Sequence, residues 1–163
     1  MHYTSFLCAD LKRRDFDLLT GNTAGRMGSI LHEVLALANT PEELEAVLGN
    51  MLAAGTFKAE ELPHLRVQAS AVLENQELQG LLRSSTQSLS EQTIIDRHGK
   101  QYRPDRVLIN EKGLTIIDYK FTMEQSSKHI EQVTHYRDLL LEMGYKNVQT
   151  YLFYAVTGKL KQV

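Results

Sequence analysis

Arg103-Pro104-Asp105-Arg106-Val107-Leu108-Ile109, the turn Asn110-Glu111-Lys112-Gly113, and Leu114-Thr115-Ile116-Ile117-Asp118-Tyr119-Lys120 form the stretch on which the fold turns. Two apolar, β-branched runs joined by a short polar turn with glycine read as an antiparallel hairpin. Side chains alternate along a strand, so Leu114, Ile116, Asp118 and Lys120 share one face, and Thr115, Ile117, Tyr119 and Phe121 take the other. Both faces are mostly apolar, so the strand is expected to be covered on both sides. An acid and a lysine on such a strand are costly unless something pairs or coordinates them. A divalent metal held by Asp105 and Asp118, with Lys120 beside it, would offset that cost.

Downstream, Ser126 or Ser127 can cap a helix with apolar positions Ile130, Val133, Leu140 and Met143, ending at Gly144. A last strand, Val148 to Val156, carries bulky residues on both faces. Thr157-Gly158-Lys159 could begin another hairpin, but the chain stops just beyond it. Upstream, Leu89 to Asp96 reads as a strand, Arg97-His98-Gly99-Lys100 as a turn, and the following run to Ile109 as a second strand. With Leu114 to Phe121 this makes a three-stranded meander.

Before Ser84-Ser85-Thr86 the pattern is helical. Met27, Ile30, Leu31, Val34, Leu35 and Ala38 fit one buried stripe. Thr40, Pro41 and Glu43 have the composition of a capped helix start with a Thr-x-x-Glu box, and Gly55 of its stop. A third helix is expected from about Glu60 to Leu82. The expected class is α+β, or mixed α/β: one domain over 1–163, helical to about residue 85 and mixed α/β from about 86. Lys12-Arg13-Arg14-Asp15 reads as a solvated face rather than a DNA patch.

With 163 residues, 42% hydrophobic and 23% charged, the chain can bury a core and is not of disordered composition. A formal net charge of −2 gives no general attraction to nucleic acid or anionic membrane, so any such surface is local. A single cysteine, Cys8, excludes a disulfide framework, a Cys-rich zinc site and a four-cysteine iron–sulfur cluster. No signal peptide and no apolar run near 18 residues are present, so a soluble cytoplasmic protein without membrane association is expected. No GxxxxGK[ST] sequence occurs, so an ATP-driven motor would have to lie elsewhere.

Pro104-Asp105, Asp118-x-Lys120 and the helical Gln132-x-x-x-Tyr136 together resemble the PD-(D/E)xK nucleases. The surrounding detail is similar to their RecB-like branch, the nuclease domain of RecBCD- and AddAB-type helicase–nucleases. Gly28-Ser29-Ile30-Leu31-His32 looks like the histidine-bearing helix that precedes the meander in that branch. The resemblance covers roughly Gly25 to Val156. It implies a restriction-endonuclease-like core and a metal-dependent DNA nuclease, with exonuclease action in double-strand-break repair. The implied partners are DNA and a helicase domain or subunit on the same or another chain.

The chemistry of the residues agrees with the resemblance. Carboxylates are hard oxygen ligands suited to Mg²⁺ or Mn²⁺, which polarise phosphate and acidify water. Asp105 and Asp118 would be the central ligands, the Tyr119 carbonyl could supply another oxygen, and the resemblance adds His32. Lys120 could orient or deprotonate the attacking water or stabilise the transition state. Glu91 sits where the branch often has an acid ahead of the Pro-Asp strand; read otherwise, it is an edge-strand charge. Gln132 and Tyr136 share a helix face and would meet substrate or the site strands, although Tyr136 also fits core filling. Arg103 and Arg106 are the candidates for phosphate contact. The four-cysteine cluster of Cas4-like and AddB-like relatives is absent, so no iron–sulfur cluster is expected. The chain starts at Met1 without a motor, as either a stand-alone nuclease or an excised domain. The competing reading is a non-catalytic DNA-binding or assembly module of the same fold, and the same site would also serve RNA or junction substrates.

Overall fold

The computed structural model describes residues 23–163 except Glu124. Cys8 and the Lys12-Arg13-Arg14-Asp15 cluster lie outside the described residues.

The first helix, α1 (Thr23–Leu37), buries the stripe expected of it, with Ile30, Leu31, Val34 and Leu35 facing the core and Ala38 just after it. Helix α2 (Pro41–Ala53) begins after an extended Thr40, but the expected capping box does not form. Glu43 reaches past Thr40 to the backbone N–H of Asn39 at 2.7 Å, and the Thr40 side chain hydrogen-bonds Glu42 instead. Gly55 does stop the helix, at a φ of 73°. Its N–H donates to Leu52 O and the Thr56 N–H to Met51 O, a Schellman pairing that satisfies the last carbonyls.

The single helix expected from Glu60 to Leu82 is broken. A 3₁₀ turn (Ala59–Glu61) leads into α3 (Leu62–Leu73), and α4 (Gln76–Arg83) starts afresh. Asn75 is the cause. Its side-chain oxygen caps α4 by accepting from the Leu78 N–H at 3.0 Å, and its amide donates to Gly158 O at 3.1 Å. An asparagine that competes for backbone groups suits a cap better than a helix interior.

The sheet has the order β1-β4-β5-β6-β7. Its strands are β1 (Gln87–Ser90), β4 (Arg106–Asn110), β5 (Gly113–Lys120), β6 (Val148–Tyr154) and β7 (Lys159–Gln162). The expected meander is interrupted: β2 (Ile94–Ile95) and β3 (Gln101–Tyr102) form a separate two-stranded hairpin, and β1 pairs directly with β4. Glu91 ends β1 in a left-handed conformation, φ 53°, that breaks the run the sequence had suggested was continuous. The hairpin β4–β5 forms as expected, Arg106 opposite Ile117 and Asn110 opposite Gly113. Helix α5 (Ser127–Glu142) then crosses over so that β6 runs parallel to β5, Asp118 beside Leu152 and Lys120 beside Tyr154. The turn at Thr157-Gly158 completes a hairpin after all, adding β7 against β6.

Both faces of β5 are covered, as its sequence requires. Ile117 and Tyr119 join Leu108 and Phe153 under α1–α4, while Leu114 and Ile116 pack with Tyr136, Leu139 and Leu140 of α5. Among the described residues no helix is long and apolar enough to cross a membrane.

Gly113 locks the β4–β5 turn to the loop before β6. At its φ of 147°, a Cβ would run into the Asn147 carbonyl oxygen and lie 2.8 Å from the Lys146 carbonyl. That Asn147 carbonyl accepts the Leu114 N–H, and the Asn147 amide donates to Lys112 O. Gly113→Ala is therefore expected to destabilise by about 2–3 kcal/mol through overpacking and strain. Thermal denaturation checks it, and an unchanged melting temperature would mean that the loop yields freely.

Candidate active site

Five segments meet where β4 begins and β5 ends: α1 with His32, the end of β1 with Glu91, Asp105 just ahead of β4, Asp118 and Lys120 at the end of β5, and α5 with Gln132 and Tyr136. The backbone dictates part of this convergence. The Glu91 N–H donates to Asp105 O at 3.0 Å, tying the two acids together where β1 runs out. Glu91 holds a backbone conformation that L residues rarely adopt, which costs on the order of 1 kcal/mol and is characteristic of functional positions.

Asp105 is the hub. Its Oδ1 meets His32 Nδ1 at 2.8 Å, and its Oδ2 accepts the Tyr119 N–H at 2.6 Å. Ligating atoms of His32, Glu91 and Asp105 lie within 4.8 Å of one another, close enough to share one cation. Phe121 packs edge-on to the His32 ring at 5.2 Å and fixes its plane. Burial alone would lower the imidazole's proton affinity. The hydrogen bond and charge of Asp105, with the charges of Asp118 and Glu91, outweigh burial and hold it above its ordinary value.

Asp118 stands deeper, 3% exposed. Its Oδ2 is ion-paired with the Lys120 ammonium. Burial and the neighbouring Asp105 charge push its pKa up to about 6, against the pull of Lys120 and His32. A buried carboxylate under the charges of Asp105 and His32, next to the His32–Glu91–Asp105 group, suits a hard divalent cation.

On the other side Lys120 Nζ donates to Gln132 Oε1 at 2.8 Å, and Gln132 Nε2 donates to the Tyr136 hydroxyl at 2.7 Å. This relay runs from Asp118 to α5 and holds the ammonium in place. Tyr136 fills the core, 6% exposed, and its hydroxyl accepts from Gln132 at the end of the relay.

The expected residues are not all where the sequence suggested. His32, Glu91 and Asp105 cluster, whereas Asp118 is drawn towards Lys120. The Tyr119 side chain lies on the opposite face, in the core beneath α1–α4, and its N–H supports Asp105. Arg103 Nε pairs with Glu91 Oε2 at 2.7 Å. Arg106 is the clear departure: it is 1% exposed, so it does not line a phosphate-binding surface. Its guanidinium donates to Leu35 O, to Asn39 Oδ1 at 2.5 Å and to Ser88 Oγ at 3.1 Å, joining the C-terminal end of α1 to the sheet. Phe121 and Asn39 were missed. Phe121 could have been noticed as an aromatic directly after Asp118-x-Lys120; nothing local marks Asn39.

A family model described as the PD-(D/E)XK nuclease superfamily matches residues 6–162. No curated protein matches the chain. A solved structure described as "Crystal structure of SSO0001" is 14% identical with a TM-score of 0.33, covering 86% of this chain and 75% of that one, a likeness too slight to carry an argument.

Proposed function

The chain belongs to the PD-(D/E)XK nuclease superfamily, and from that premise we propose that it is a Mg²⁺- or Mn²⁺-dependent deoxyribonuclease of the RecB-like kind. Its mixed α+β architecture is consistent with the restriction-endonuclease-like fold of that superfamily, whose members use divalent metals. In this reading it acts as an exonuclease, the nuclease module of a helicase–nuclease working on double-strand breaks. The observation that carries the reading is the cluster of His32, Glu91 and Asp105 beside the buried Asp118–Lys120 pair.

His32, Glu91, Asp105 and Asp118 would hold the cation, with the Tyr119 carbonyl as a further oxygen. A bound Mg²⁺ or Mn²⁺ supplies charge neutralisation at the scissile phosphate and acidification of water. The reaction adds a water oxygen to phosphorus, breaks one P–O ester bond and delivers a proton to the leaving alkoxide. Lys120 orients the attacking water and faces the negative charge that builds on phosphate. Gln132 holds Lys120 through its oxygen, and Tyr136 fixes which end of the Gln132 amide points that way. Arg103, beside Glu91, is the proposed phosphate contact next to the cation site.

The test pairs binding with cleavage. Calorimetric titration with Mn²⁺ is expected to show a site that Asp105→Ala removes, and DNA degradation is expected to need Mg²⁺ or Mn²⁺ and to stop with chelator. Salt-dependent DNA binding without any Asp105-dependent metal site would instead favour a non-catalytic module.

A further inference from the structure

We propose that the β2–β3 hairpin is a substrate arm that binds the phosphate backbone of the nucleic acid on one side of the scissile bond. The inference rests on the nuclease reading above and names a part of the molecule outside its metal and lysine residues.

Three observations lead to it. The hairpin is not hydrogen-bonded into the five-stranded sheet: β2 and β3 pair only with each other among the described strands, and Ile94 of β2 anchors them on the core. Its turn, Arg97-His98-Gly99-Lys100, places two permanent cations and a histidine within four exposed residues of a chain whose net charge is −2. The turn is also well defined. Asp96 Oδ1 accepts the N–H groups of His98 at 2.8 Å and Lys100 at 2.9 Å, and the Asp96 N–H donates to Lys100 O at 3.0 Å. Gly99 takes the left-handed conformation the turn needs, φ 79°. With Asp96 counted, the turn still carries one net positive charge, Arg97 and Lys100 against Asp96.

The arm is joined to the site. Lys100 Nζ lies 5.0 Å over the Tyr102 ring, and Tyr102 packs edge-on to His135 at 4.6 Å and to Tyr136 at 6.4 Å. Tyr136 holds Gln132, which holds Lys120. A continuous line of contacts thus runs from the cationic tip to the lysine proposed to face the reacting phosphate, and β3 leads directly through Arg103 to Asp105. A nucleic-acid backbone leaving the site along α5 would meet Tyr102 and His135 and then Lys100 and Arg97. The arm offers cations and ring faces, so the binding it gives is independent of sequence.

Counterion release makes this measurable. Each phosphate neutralised on duplex DNA contributes about 0.9 to the slope of log K against log salt. In the cleavage-dead Asp118→Ala background, with a short DNA duplex of arbitrary sequence as probe, Arg97→Ala/Lys100→Ala is expected to flatten that slope by about 2 and to weaken binding on the order of 10-fold near 100 mM salt. Arg97→Glu/Lys100→Glu should weaken it further. Melting temperature and Mn²⁺ affinity, measured with Asp118 intact, should not move, because all the altered side chains are exposed. The double change Lys159→Ala/Lys161→Ala on β7, of one exposed and one half-buried lysine, should leave the slope as it was. If the β7 control and the arm variant flatten the slope equally, or neither does while the parent binds DNA, the arm assignment is wrong. If the parent shows no salt-dependent DNA binding, the nuclease reading fails and the arm falls with it.

Discussion

Asp118→Asn is expected to abolish cleavage and, in the same variant, to raise the melting temperature of the metal-free protein. The first effect follows from removing a charged oxygen ligand beside the reacting phosphate, and a loss on the order of 10²–10⁴ in rate is the usual scale for such groups. The second follows from burial. Asp118 is 3% exposed and its pKa is raised to about 6 from an unfolded value near 3.8, so the folded state favours the protonated form. A carboxyl raised in this way contributes its full stability below the unfolded pKa, and that contribution is lost as pH rises from about 4 through about 6. Above pH 6 the folded protein carries a desolvated anion. A shift of this size corresponds to about 3 kcal/mol at most, and Asn imitates the neutral form. At pH 7.5 a gain of about 1–3 kcal/mol is expected, or several degrees for a chain of this length. At pH 4 the difference should nearly vanish. Lys120 keeps Gln132 as a partner in the variant. Loss of activity with gain of stability is what a functional residue held against its folding preference produces. A variant that cuts like the wild type would remove Asp118 from the site; one that is dead and less stable would make Asp118 a structural residue.

Arg106→Leu is expected to be the most destabilising single change in the sheet. Its guanidinium donates to the Leu35 carbonyl, the Asn39 amide oxygen and the Ser88 hydroxyl, and its hydrogen-bond partners among the described residues carry no charge. Leucine would leave the buried Leu35 carbonyl without this donor, at about 1–3 kcal/mol, and would lose the bonds to the exposed Asn39 and Ser88 side chains, at about 1 kcal/mol each, so a total of about 3 kcal/mol is expected. Arg106 also adjoins Asp105 and pins the end of the helix that carries His32, so Mn²⁺ affinity should fall along with stability. Urea denaturation and calorimetry check the two effects. Arg106→Lys, which keeps one donor in place, should recover part of the stability. A denaturation midpoint close to wild type in Arg106→Leu would show that the buried network contributes little.

The contrast between Arg103 and Arg106 shows how far local sequence reaches. Both flank Pro104-Asp105, and both were expected at phosphate. Which one is buried depends on what lies over the first residue of β4. That is the C-terminal end of α1, about 70 positions earlier in the chain, and no local pattern records it. The break at Glu91 was hidden for a related reason. Leu89 to Asp96 has enough apolar residues for one strand, and only the pairing of Ser90 with Arg106 determines that the main sheet ends there. Asn75 was legible in principle, since asparagine inside an apparent 23-residue helix favours a cap.

By itself the sequence determined the buried stripe of α1, the β4–β5 hairpin, the covering of β5 on both faces, and the placement of Asp118 and Lys120 on one side of it. Each of these is carried by periodicity over a few residues, because helix and strand geometry converts spacing directly into a face. Only the tertiary structure decided that His32 reaches Asp105 across 73 positions, that Glu91 joins them from a strained strand end, that Arg106 is buried, and that the β2–β3 hairpin pairs outside the main sheet with Tyr102 against α5. Alternation states which way a side chain points, but what it meets there depends on how distant elements pack.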